Sequence, residues 1–225
     1  MVTEEPPVTE DQNEEPEHVP ADPPTEKPTP NATRQNLSRT SGMKKRLLKD
    51  NMLSESEFDF ILDKVIPEEI NSCKLAYRLS GKSGFQAGKF HSKCDDLKIS
   101  LFVCESDKGK RFGGINFVSW GPGCDKQETD RNMLFSLTHE TVHPLRVHES
   151  GDRKGTNLWA RAVLYSKSKG PMMGESDLVI GDKCHEKATC ESEFDTYEYT
   201  GEEESEKYLA GAEEFKLKKF FIFKL

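Results

Sequence analysis

Residues Leu75 to Trp120 decide how this chain folds: Tyr77-Arg78, then Ser83-Gly84-Phe85, then Phe90-His91-Ser92-Lys93-Cys94-Asp95, an apolar alternating run, and Phe112-Gly113-Gly114 leading to Val118-Ser119-Trp120. Lys74 to Leu79 reads as a short strand and Gly81 to Gly84 as the turn that follows it. Ser83, with Gln86 three residues later, has capping-box spacing, which predicts a helix to about Lys93 that tolerates Gly88 at about 1 kcal/mol. Leu97 to Glu105 alternates as a strand, with Leu97, Ile99, Leu101 and Val103 on one face. Asp107-Lys108-Gly109-Lys110 then reads as a hairpin turn, Phe112 to Trp120 as its returning partner, and Gly121-Pro122-Gly123 as the close of that strand.

The pattern extends in both directions. Upstream, Ser54-Glu55-Ser56-Glu57 has the capping-box form, and Phe58, Ile61, Leu62, Val65 and Ile66 follow as one face of an amphipathic helix that Pro67 ends. That apolar stripe needs a surface to cover, so the helix is expected to pack on the domain after it. Downstream, Met133 to Thr138, Asn157 to Tyr165, Asp177 to Ile180 and Lys219 to Phe223 are strand candidates. Gly151 to Gly155, Gly170 to Gly174 and the acidic Gly201 to Glu206 read as loops. Many strands separated by turns, with two clear helices, argue for antiparallel sheets rather than βαβ units. The fold class expected is mainly β with flanking helices (α+β), and no internal repeat is visible.

Composition sets the limits. With 34% hydrophobic residues in 225 and a mean hydropathy of -0.75, the chain is too polar to pack over its whole length. The first 42 residues hold eight of the twelve prolines and nine carboxylates against three basic side chains, too little apolar surface to offset the entropy of ordering. Three segments are therefore expected: a disordered acidic, proline-rich tail over 1–42, a basic linker and amphipathic helix over 43–65, and a folded domain over 66–225.

The tail has no apolar run behind a basic start, and no segment approaches the roughly 20 apolar residues that span a bilayer. Val2 and the lack of a cysteine four from the end remove the myristoyl and prenyl signals. A cytoplasmic location is expected, and Asn31-Ala-Thr33 and Asn36-Leu-Ser38 then read as coincidental matches to a glycosylation acceptor. A net charge of -8 works against nucleic-acid binding. Lys44-Lys45-Arg46 is the only dense basic cluster, a solvated face or a contact for an anionic surface or acidic partner.

Six cysteines, at 73, 94, 104, 124, 184 and 190, include no CxxC pair, so reduced thiols are expected and a thiolate zinc site is not. Cys184-His185 with Cys190 has ligand residue types, yet the spacing fits no common zinc knuckle.

One motif looks catalytic. His139-Glu140-Thr141-Val142-His143 fits H-E-x-x-H, in which two histidines one helical turn apart hold zinc and the glutamate activates bound water. That chemistry requires a helix. Pro144 directly after His143, the β-branched Thr141 and Val142, and the strand character of Met133 to Thr138 all oppose one. The expected reading is backbone that runs extended and then bends, a polar connection between strands. His148 also lacks the glycine that the longer metal-binding form requires.

The opening residues resemble the TLDc domain, and the likeness continues through Leu134 to Thr138, Gly170 to Gly174, Asp177-Leu178-Val179-Ile180 and Tyr208-Leu209-Ala210-Gly211 with Phe215, covering Ile66 to Leu225. The positions that carry it are Phe85, Phe90, Cys94, Asp95, Gly113, Gly114, Trp120, Gly170, Pro171, Gly174, Asp177, Gly211 and Phe215. The resemblance implies two antiparallel sheets packed as a sandwich, no catalytic centre and no cofactor. It also implies protection against oxidative damage and binding to the vacuolar proton pump (V-ATPase). This chain departs from the family where Met173 replaces an aromatic, where Glu175-Ser176 replaces a Gly-Gly-His stretch, and where Lys218-Lys219 replace acidic residues.

The residues also suggest physical roles. Gly113 and Gly114 point to a bulge or close backbone approach, Phe112 and Trp120 to the core, His91 to a packed, hydrogen-bonded ring, and Asp177 to a turn former. Two other functions remain open at this level. One is a zinc-dependent hydrolase using His139, Glu140 and His143. The other is a peroxide scavenger using Cys94 or Cys184, which requires a lowered thiol pKa and access to solvent.

Overall fold

Phe58 and Ile61 face inward from a helix that starts where its capping box predicts. Ser54 Oγ accepts from the Glu57 N–H at 3.2 Å and the Glu57 carboxylate accepts from the Ser54 N–H at 2.7 Å. The computed structural model describes residues 40–79, 84–127, 129–146, 161–199 and 201–225. Within these, helical residues 40–47 (α1) precede α2 (Glu55–Lys64), α3 (Ala87–Cys94) and the single turn α4 (Ser205–Tyr208). Apart from residues 40–42, the segment expected to be a disordered tail lies outside the described residues.

Among the described residues ten strands form two antiparallel sheets. The larger has the order β1 (Lys74–Arg78), β10 (Leu217–Lys224), β2 (Ser100–Ser106), β3 (Arg111–Asn116), β4 (Met133–Ser136), β5 (Thr141–Pro144). The smaller runs β6 (Lys169–Met173), β7 (Leu178–Gly181), β8 (Cys190–Glu191), β9 (Glu214–Phe215). The central strand β2 shows why two layers are needed. Phe102 and Cys104 enter a core shared with Met173, Leu178, Ile180 and Phe215 of the second sheet. Leu101 and Val103 point the opposite way, into a second core roofed by Met43, Leu47, Phe58 and Ile61 of the helices. The result is a β-sandwich with α1 and α2 packed on its outer face.

Close approach within the larger sheet and between the layers depends on glycine. A Cβ on Gly113 would lie 2.0 Å from the Phe102 carbonyl oxygen, and one on Gly114 would lie 2.6 Å from Met173 Sδ. Phe112 and Trp120 are fully buried, and Trp120 Nε1 donates to Ser100 Oγ at 2.8 Å.

Several sequence expectations shift by a few residues, for physical reasons. Helix α3 starts at Ala87 without a side-chain cap from Gln86. Its first amides are met across the fold instead: Asp182 accepts from the Ala87 N–H at 2.8 Å and the Tyr77 hydroxyl accepts from the Gln86 N–H at 3.2 Å. β3 ends at Asn116, whose side chain accepts from the Val118 N–H and donates to the Val118 carbonyl, turning the chain before Trp120. Gly170 to Met173, expected as loop, is strand β6; Pro171 fits because β6 is an edge with a register shift. Residues 161–165 of an expected strand form only the isolated bridge Val163–Met173, and 157–160 lie outside the described residues. The Gly81 to Gly84 turn and the Gly151 to Gly155 loop also fall largely or wholly outside them.

Candidate functional site at the edges of the larger sheet

The catalytic-looking pentad sits on one edge. His139 and Glu140 occupy the turn between β4 and β5, with Glu140 at φ 54°, and Thr141 to His143 belong to β5. The pentad is thus a turn running into a strand, and the helical turn on which two imidazoles and a glutamate are set out around zinc is not formed. The rings also have other partners. His139 stacks on Tyr208 with centroids 4.4 Å apart and takes Lys110 Nζ at 2.9 Å from its Nε2.

His143 is fully buried. Its Nδ1 faces the Glu198 carbonyl at 2.9 Å, so that nitrogen carries the proton and donates. Burial holds the ring's pKa below the ordinary value, so it stays neutral and Nε2 accepts. The Thr141 hydroxyl, 3.0 Å away, donates to Nε2, and the Tyr208 hydroxyl, 3.0 Å from Thr141 Oγ1, donates in turn. The lone pair that a metal requires is occupied.

The outer side of β5 is closed as well. Glu198 N–H donates to the Pro144 carbonyl at 2.8 Å, Arg146 N–H donates to the Thr196 carbonyl at 3.1 Å, and Leu145 bridges Tyr197. Asp177 fixes the covering segment. Its fully buried carboxylate accepts from the N–H groups of Asp195 (2.9 Å), Thr196 (2.8 Å) and Tyr197 (2.7 Å). Burial pushes its pKa up, and these three donors pull it back only in part. Asp177 thus does more than form a turn: it anchors a strap across a sheet edge. Gly174, at φ 69°, makes room, since a Cβ there would meet Asp177 Oδ2 at 2.0 Å.

All six cysteines are buried free thiols. Burial pushes Cys94 up to about 12 and Cys124 up to about 11, and raises Cys73, Cys104 and Cys190. Cys184 is fully enclosed. A peroxide-reactive thiol needs the opposite environment. Most of the family positions likewise face inward. Phe85, Phe90, Cys94, Trp120 and Phe215 lie in the inter-sheet core, and His91 is held by Asp95 at 2.6 Å and by the Ser166 and Lys169 carbonyls at 3.0 and 2.9 Å. Gly170 packs against the Phe85 ring beside Pro171, and Gly211, at φ 87°, closes on Lys108 of the β2–β3 hairpin.

The opposite edge of the same sheet is β1, which among the described residues pairs only with β10. Two clefts share it as a floor and meet at Leu75. One, about 630 Å³, is lined by Lys45, Arg46, Lys49 and Lys74 with Asp50. The other, about 560 Å³, is lined by Tyr77, Arg78, Lys89 and Lys93. Sequence reading found only the Lys44 to Arg46 part of this basic surface. The other cations come from the turn after α1 (Lys49), from β1 and from α3, and those of β1 and α3, far along the chain, carry no local signal.

Lys218 and Lys219, the charge departure on the last strand, differ from each other. Lys218 is exposed, while Lys219 Nζ lies 2.8 Å from Glu105, which also binds Arg111. Among the described residues no helix is long and apolar enough to cross a membrane, and no three His, Cys, Asp or Glu side chains converge as a cation site. No curated protein matches the chain. A family model described as the TLDc domain matches residues 47–225, beginning within the α1–α2 segment that roofs the second core, and the chain therefore belongs to the TLDc domain family.

Proposed function

We propose that this protein acts without catalysis, as a cytoplasmic regulator or adaptor that binds subunits of the vacuolar proton pump (V-ATPase) and contributes to protection against oxidative damage. Membership of the TLDc family is the observation that carries this reading. The local chemistry agrees with it. The pentad's histidines are engaged in a hairpin and its neighbours, the thiols are enclosed, and most family positions build the scaffold. Binding then falls to the surface. Because Glu105 offsets Lys219, the reversed charge on the last strand is presented mainly by Lys218, and that residue tunes which partner fits.

Affinity capture from cell extract tests this directly. Under conditions that retain a known pump regulator, the full chain is expected to recover pump subunits, and failure to recover any removes the assignment. Purified protein is expected to carry no stoichiometric zinc, and a 1:1 metal content lost in His139→Ala would reinstate the hydrolase.

A further inference from the structure

We infer that the open edge of β1 is a docking site for an extended, acidic peptide segment of a protein partner, added to the larger sheet as a seventh strand. The inference rests on the protein-binding reading above and specifies the surface and the chemistry of the ligand.

Three features converge at this edge. First, β1 ends the larger sheet, and among the described residues its hydrogen-bonded neighbour is β10 alone. A sheet edge presents outward N–H and C=O groups at strand spacing, a template for another extended chain. Second, the flanking cations lie on both faces of the sheet. Lys45, Arg46 and Lys49 line one cleft from α1 and the turn after it, and α1 packs on the helix-covered outer face through Met43 and Leu47. Lys89 and Lys93 line the other cleft from α3, which packs through Phe90 and Cys94 into the inter-sheet core. Third, among the described residues the edge is nearly free of carboxylates. Asp50 is the only one of them lining either cleft, and it is paired with Arg78 at 3.3 Å.

These features select the ligand. A strand laid along β1 sends alternate side chains to opposite faces. One set reaches toward Lys45, Arg46 and Lys49, and the other toward Lys89 and Lys93. A peptide complementary to both must carry carboxylates at consecutive positions, not only at alternate ones. A flat anionic membrane suits the edge less well, because the two groups of cations open on opposite faces of one sheet and do not share a plane.

The chain's own first 39 residues, with nine carboxylates, are a competing source of the same chemistry. Their eight prolines lack the N–H that a strand contributes, which favours an outside segment.

The test uses the full chain and a fluorescein-labelled eight-residue Glu/Thr peptide bearing six carboxylates. Its Gln/Thr isostere and a version with one central proline serve as controls. Binding is expected with the Glu/Thr peptide, with slowed amide exchange over Lys74 to Arg78. Affinity should drop about tenfold in Lys45→Glu/Lys49→Glu and again in Lys89→Glu/Lys93→Glu. The proline peptide, equal in charge, should bind about tenfold more weakly than its parent.

Four results would overturn the proposal: no binding, binding that both double variants leave intact, equal affinity for the proline peptide, or loss of phosphatidylserine-vesicle binding in the variants while the peptide stays silent. So would β1 amides that are protected in the free protein and become exposed when the nine tail carboxylates are changed to glutamine, since the tail would then be the occupant. Pump capture with the same variants separates the two readings. Capture that survives both double variants keeps the pump and removes this edge as its site. Peptide binding in a protein that captures no pump subunit does the reverse.

Discussion

The two edges of the larger sheet make opposite impressions in sequence and in structure. The β5 edge carries an H-E-x-x-H match, yet its histidines are tied to Lys110, Thr141, Tyr208 and Glu198, and a strap held by Asp177 covers its outer side. The β1 edge carries no motif, yet among the described residues it is open and flanked by cations on both faces. Availability, not residue type, separates them. A polar side chain whose hydrogen-bonding capacity is met inside the fold has little left for a ligand, whereas an unpaired edge has both backbone and charge to offer.

The largest expected effect comes from removing the strap's anchor. Asp177→Ala leaves the N–H groups of the buried Thr196 and Tyr197, and that of the more exposed Asp195, without this acceptor and should lower the unfolding free energy by about 2–4 kcal/mol in chemical denaturation. Amide exchange should quicken first at Thr196 to Glu198. Unchanged stability would mean that the strap holds β5 without the carboxylate.

Next in size is His143→Ala. It opens a cavity among Phe194, Tyr208 and Thr141 and orphans the Glu198 carbonyl, for an expected loss of about 2–3 kcal/mol. His139, partly exposed in the turn, should cost about 1 kcal/mol or less when changed to alanine. Equal losses at the two positions would contradict the buried and surface roles assigned to them.

A smaller effect appears in pH dependence. Burial lowers the pKa of His143 below the ordinary 6.5, so the unfolded chain binds its proton more readily than the folded one. Its neutral form therefore supports the fold fully above that pH, and stability falls as the pH drops through 6.5 toward the folded-state value. Unfolding free energies measured between about pH 7 and pH 5 should decline less steeply in His143→Gln than in the parent, and identical slopes would locate the effect elsewhere.

The smallest effect belongs to the open edge. Arg78→Ala removes an exposed ion pair with Asp50 and should change stability by no more than about 0.5 kcal/mol. A much larger loss would show that the β1 cations are structural supports, which would blur the contrast between the edges.

Much of the scaffold was legible because its determinants are local. The capping box at Ser54 and Glu57, the hairpin turn whose Gly109 sits at φ 82° and the close approach at Gly113 and Gly114 each depend on residues a few positions apart. The packed role of His91 was legible in the same way, from its place among Ala87, Phe90 and Cys94. The errors share a different cause. The spacing of Ser83 and Gln86 reads as a capping box, yet Ser83 lies outside the described residues, α3 starts after Gln86, and Asp182 and Tyr77 meet its first amides from elsewhere in the fold. Gly170 and Pro171 look like a loop until the second sheet places them on its edge. Asp177 reads as a turn residue because the three amides it binds lie about twenty positions downstream.

The amino-acid order by itself determined that the chain is mainly β, that its sheets are antiparallel and that the backbone over H-E-x-x-H is biased away from a zinc helix, since Pro144 and two β-branched residues act without help from distant groups. Only the tertiary structure decided which edge is sealed and which, among the described residues, is open. That outcome depends on where Asp177 meets residues 195–197 and on α1, β1 and α3 bringing their lysines and arginines around one strand. Such long-range juxtapositions leave no periodicity in the sequence, because side-chain spacing along a chain reports the faces of single elements and not the partners those faces acquire.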